Sequence, residues 1–113
     1  MNKWVIKFYK GSRGEEYVQN FIKKQDTATY AKITRLIGML SIHGPDLGMP
    51  YSRYLGHGLF ELRARGKNEV RIFYIFHLEK TIYLLHAFKK RTQKTPIKEL
   101  KIAINRKKEL TVI

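Results

Sequence analysis

"GLFELRARGKNEVRIFYIFHLEKTIYLLHAFKK", residues 58–90, decides the fold. "GLFELRAR" alternates cleanly: Phe60, Leu62 and Ala64 fall on one side, Leu59, Glu61, Arg63 and Arg65 on the other. That period of two is the mark of a half-buried strand. "GKNE" reads as a turn. "VRIFYIFHL" is apolar on both faces except at Arg71 and His77, which suits a central strand. "LEKT" turns again and "IYLLHAFKK" supplies the next strand. Three strands joined by such short turns form an antiparallel meander.

Upstream, "KWVIKFYK" alternates Trp4, Ile6 and Phe8 against Val5, Lys7 and Tyr9, a short strand. Ser12 and Glu15 have the spacing of a capping box. The helix they open carries Tyr17, Val18, Phe21 and Ile22 on one face and stops near Gln25. Asp26 or Thr27 then caps a second helix, whose Ile33, Leu36, Ile37 and Leu40 form a buried stripe. Gly44 and Pro45 break that helix. Downstream, Pro96 follows Thr95 as a helix start, and Ile97, Leu100 and Ile104 give the last helix its apolar face. The fold class is α+β, in the order β-α-α-β-β-β-α: an antiparallel sheet with an N-terminal helix hairpin and a C-terminal helix. Helices collected on one side leave the other sheet face open for a ligand.

No repeat or linker divides the chain, so a single domain is expected over residues 1–113. Lysine and arginine number 23 against 9 aspartates and glutamates, a formal charge of +14. Such an imbalance favours acidic partners, nucleic acid first, because each neutralised phosphate releases condensed counterions. There are no cysteines, which excludes disulfides and thiolate metal sites. The histidines (His43, His57, His77, His86) lack metal-ligand spacing, so neither metal nor cofactor is expected. No stretch suits a signal peptide or a bilayer span, and the expected location is cytoplasmic, without a membrane partner.

Strand parity places Glu61, Arg63, Arg71, His86 and Lys90 on the uncovered side, with His86 sharing parity with Leu84 and Phe88. Ordinary explanations exist: Glu61 and Arg63 as a surface ion pair, His86 as a hydrogen-bonded core residue, Lys89 to Lys94 as a solvated loop. Arg71 is harder to explain so, because a guanidinium in an apolar strand needs a carboxylate or a phosphate. Together the set fits RNA cleavage, which requires a base for the 2′-hydroxyl, a cation for the phosphorane and an acid for the 5′-oxygen. Glu61 or His86 would be base or acid, with Glu61 preferred as base and His86 as acid. Arg71 and Arg63 would stabilise the phosphate. Arg65, Lys89, Lys90, Arg91 and Lys94 would grip flanking phosphates, and Tyr51, Tyr54 or Phe88 would stack on bases.

"LGHGLFELRARGKNEVRIFYIF" followed by "IYLLHAFKKRTQKTPIKELKIAINR" resembles the HigB/RelE superfamily of type II toxins, in particular its phage-derived HigB-like branch. The likeness covers residues 55 to 106 and includes Glu99 and Ala103 ahead of Arg106. It implies a microbial-RNase-like fold and metal-independent cleavage of messenger RNA in the ribosomal decoding site. It also implies a cognate antitoxin, a helix-turn-helix DNA-binding protein. Arg71 matches the phosphate-stabilising arginine, Arg63 the arginine closing the preceding strand, and Lys90 a cation acting on the leaving group or phosphate. Some members carry lysines where this chain has Leu59 and Glu61, so a lysine base is unavailable. Two other readings compete: a non-catalytic nucleic-acid-binding module, and a basic face that docks an acidic protein.

Overall fold

The computed structural model describes residues 3–111. In chain order the elements are β1 (Val5–Phe8), α1 (Tyr17–Lys23), α2 (Thr27–His43), a 3-10 turn (Gly44–Asp46), β2 (Ser52–Gly56), β3 (Leu59–Ala64), β4 (Val70–His77), β5 (Thr81–Lys89) and α3 (Ile97–Thr111). The architecture is α+β, and the sheet has five strands in the order β1-β5-β4-β3-β2. It is mixed: β1 lies parallel to β5, while the other neighbours are antiparallel.

The sheet expected to be antiparallel is thus mixed, because β1 joins beside β5 through a helical crossover, and three expectations about the other elements need correction. The first concerns β2, an extra strand at the sheet edge. It joins β3 through His57 and Gly58, both at positive φ, which suits a two-residue hairpin turn. His-Gly is a weaker hairpin signal than Asn-Gly, and the strand's alternation is too short to stand out. The second concerns the helices, which cover both sheet faces. Helices α1 and α2 pack Val18, Ile22, Ile33, Leu36 and Leu40 onto Leu62, Ile72, Tyr74, Ile82 and Leu84. On the opposite face α3 packs Leu100 and Ala103 onto Phe73, Ile75, Leu85 and Phe88. Ala103 is fully buried while Ile97 stays 70% exposed, so the helix docks one position round from its bulkiest stripe. The third concerns Ser12 and Glu15, which form no capping box. Helix α1 starts only at Tyr17, without a side-chain cap, because the Gly11–Gly14 turn occupies the preceding residues. Asp26 does cap α2, its Oδ1 accepting from the Thr29 N–H at 2.7 Å.

A bulge in β5 redirects its side chains. Phe73 pairs with His86 but Tyr74 pairs with Leu84, leaving Leu85 as the extra residue. Leu84 therefore joins the α1/α2 core, and His86 faces α3 with Leu85 and Phe88. The expected shared parity of Leu84 and His86 is broken at that residue.

Candidate functional site

Strand alternation aims Glu61 and Arg63 of β3 and Arg71 of β4 at the α3 face. Helix α3 packs mainly on β4 and β5 and reaches the β2–β3 turn through Lys107, so the part of this face around Arg53 and Arg63 stays open. There Arg53, Arg63, Arg65, Arg71, Lys90 and Arg91 line a hollow of about 560 Å³, with Glu69, Thr92 and Gln93 at its margin. Six cations against one carboxylate on its walls make it a receptor for anions.

Beneath its arginines lies Glu61, with no exposed surface. Three guanidiniums surround that carboxylate: Arg53 Nη2 at 3.5 Å, Arg63 Nε at 3.6 Å and Arg71 Nε at 3.8 Å. None is a hydrogen bond, and both Glu61 oxygens, Arg63 Nε and Arg71 Nε are buried without a hydrogen-bond partner. Buried polar atoms usually find partners, and such orphans mark a place where another group can enter. Arg71 is only 3% exposed. Its Nη1 donates to the Val70 carbonyl at 3.1 Å and its Nη2 to Glu69 Oε1 at 3.0 Å, which fixes the fork in place. Glu69 in turn accepts from the Gly66 N–H at 2.7 Å. That hydrogen bond, reinforced by Arg71, holds the Glu69 carboxyl below the ordinary range. Arg63 and Lys90 are both shifted down, chiefly by burial; the neighbouring arginines add to the effect.

The expected residues divide accordingly. Arg63, Arg65, Arg71, Lys90 and Arg91 line the hollow, and Glu61 lies buried against its arginines. His86 shares the face but stands in the row Glu61–Phe73–His86 across three strands, two strand spacings or about 10 Å from Glu61. The Phe73 side chain stands between them. His86 Nε2 donates to Glu99 Oε1 of α3 at 2.6 Å, and Arg106 Nη1 lies 3.5 Å from His86 Nδ1. Both contacts suit one neutral tautomer, and burial lowers the imidazole's pKa despite the carboxylate beside it. Lys89 pairs with Val70 and so faces the α2 side, where its charge acts on Asp26. Lys94 lies in the exposed loop, its carbonyl accepting from the Thr92 hydroxyl. Arg53 was missed from sequence because its strand was missed. The signal present was the Gly-His-Gly turn, which is compatible with a hairpin but weaker than Asn-Gly.

A family model described as phage derived protein Gp49-like (DUF891) matches residues 20–108, most of the chain. The chain belongs to the phage-derived Gp49-like family. This family is associated with the toxins of toxin–antitoxin systems. The match begins in α1 and runs into α3, so it spans every side chain of the hollow in this Gp49-like chain. No curated protein sequence matches the chain. Among the described residues, no three His, Asp or Glu side chains gather as a metal-binding group, and no helix is long and apolar enough to cross a membrane.

Proposed function

We propose that the protein is a toxin of the HigB/RelE superfamily that cleaves messenger RNA, acting on the ribosome by attack of the 2′-hydroxyl on the adjacent phosphate. The observation that carries this reading is the trio of arginines around a buried carboxylate whose oxygens have no hydrogen bond. A scissile phosphate entering the hollow takes up Arg71 and Arg63 as charge-assisted donors, a geometry guanidinium forks suit better than ammonium groups. As Arg53 and Arg63 turn to the phosphate beside the fixed Arg71, Glu61 is uncovered and accepts the 2′-hydroxyl proton. The 2′-oxygen bonds to phosphorus, the arginines hold the dianionic phosphorane, and the bond to the 5′-oxygen breaks. Lys90 donates the proton to that oxygen; partial burial lowers its pKa and makes it a better acid than an ordinary lysine. The products are a 2′,3′-cyclic phosphate and a 5′-hydroxyl. Within this scheme His86 anchors α3 through Glu99 and stands outside the reacting groups. A helix-turn-helix antitoxin as the inhibitory partner belongs to the same proposal.

Expression of the chain alone in bacteria is expected to arrest translation and leave messages cut within reading frames, with 5′-hydroxyl ends. Arg71→Lys keeps the charge against Glu61 and Glu69 but removes the fork, and is expected to slow cutting about 10²- to 10³-fold. Continued growth with intact messages would end the toxin reading. Salt-sensitive RNA binding without cutting, on supplied ribosomes, would leave only a binding module.

A further inference from the structure

A second concavity, of about 520 Å³, lies between α2 and the β2–β3 hairpin. Lys32, Arg35 and Met39 form its α2 wall, Tyr51 stands opposite, and Arg63 and Arg65 belong to both this cleft and the hollow. Its chemistry differs from the hollow's. The hollow is walled almost wholly by ionic and polar side chains, whereas here cations rim a partly apolar floor. Tyr51 is 40% exposed, while its carbonyl accepts from the Arg63 N–H at 2.8 Å. Lys32 is tied across the cleft to the Arg65 carbonyl, which links α2 to the end of β3. An exposed tyrosine on a fixed backbone, with cations and the apolar Leu36, Met39 and Pro50 lining the same cleft, suits a ligand that is flat, part apolar and attached to phosphate.

We infer that this cleft is a nucleobase subsite, taking the base of a nucleotide next to the phosphate held in the hollow, with Tyr51 as its stacking platform. The inference rests on the RNA reading above. Arg63 and Arg65 then lie where one strand passes from phosphate site to base site. Lys32 and Arg35 meet the phosphate on the far side of that base. Tyr51 thus reads a π-face and the cations read the backbone, a division that holds single-stranded RNA with little preference among bases.

The test uses the full chain and a labelled single-stranded oligoribonucleotide, 2′-O-methylated so that it cannot be cut. Anisotropy titration is expected to show Tyr51→Phe binding as the parent does. Tyr51→Ala should bind roughly 5- to 150-fold more weakly, the span one stacked base supplies, with an unchanged salt slope. The exposed Arg35→Ala, which removes a phosphate contact, should instead make the log–log salt slope shallower by about 0.7. Circular dichroism checks that each variant is folded. A 4-thiouridine probe should crosslink to the segments carrying Met39 and Tyr51 in the unaltered protein. Equal affinity of folded Tyr51→Ala and parent, or crosslinks confined to residues outside the cleft, would overturn the subsite. Loss of message cutting in vivo would not, since it bears on the catalytic reading alone.

Discussion

At the scale of single residues, ionisable groups on one sheet face have separated into two environments. Around Glu61 the guanidiniums stand 3.5–3.8 Å away, close enough to balance charge but too long to satisfy hydrogen bonds. His86, by contrast, is fully engaged, donating to Glu99 with Arg106 at its other nitrogen. This difference has a measurable pH signature. Burial lowers the folded-state pKa of His86 below its ordinary 6.5, so protonation favours the unfolded chain. Stability from this group is full above pH 6.5 and declines as pH falls through the folded pKa. Denaturation midpoints measured from pH 7.5 to 5 are expected to drop, and His86→Gln, which cannot take up the proton, should flatten that slope. A second decline belongs below about pH 4.5, where Glu69 and Asp26, both held low by hydrogen bonds, take up protons. An unchanged slope in His86→Gln would mean that the imidazole is not the titrating group.

At the scale of elements, turns and one bulge decide which side chains meet. The extra residue Leu85 lets β5 give Leu84 to one core and His86 to the other. Arg106 then fastens α3 over that bulge: its Nη1 donates to the Leu85 carbonyl at 2.8 Å, and its guanidinium lies over the Tyr9 and Tyr17 rings at 4.9 and 4.6 Å. The α3 helix is thereby held toward β5, leaving the arginine-lined end of β2 and β3 open. The β4–β5 turn carries strain of its own, with Glu79 and Lys80 at φ of 57° and 52°. Left-handed backbone costs an ordinary side chain about 1–2 kcal/mol, and asparagine tolerates it better. Glu79→Asn should therefore stabilise the protein by about 0.5–1 kcal/mol in denaturant titration. A loss of stability there would show that Glu79 makes a contact outweighing the backbone strain. This strain could not be read from "LEKT", whose residues are not typical of a left-handed turn. "GHG" did contain the β2–β3 hairpin, once the positive φ of its centre is recognised.

At the scale of the molecule, a formal charge of +14 includes six cations gathered around one open hollow. If RNA occupies the hollow and neutralises about four to six phosphates, log affinity against log salt should fall with a slope of about −3 to −4. A slope near zero would mean that the basic face is not where RNA binds. The sequence by itself determined the α+β class, the three-strand meander, the α2 stripe with its cap at Asp26 or Thr27, and the shared face of Glu61, Arg63, Arg71 and Lys90. Period-two and helical spacing are local properties, and a side chain's face follows from them within an unbroken strand. Only the tertiary structure decided the parallel pairing of β1 with β5 and the placement of α3 opposite α1 and α2. It alone added Arg53 to the arginine cluster and withdrew His86 from the hollow. These depend on which distant surfaces bury each other, and on a bulge whose extra residue, Leu85, is apolar like its neighbours and leaves no mark in the pattern.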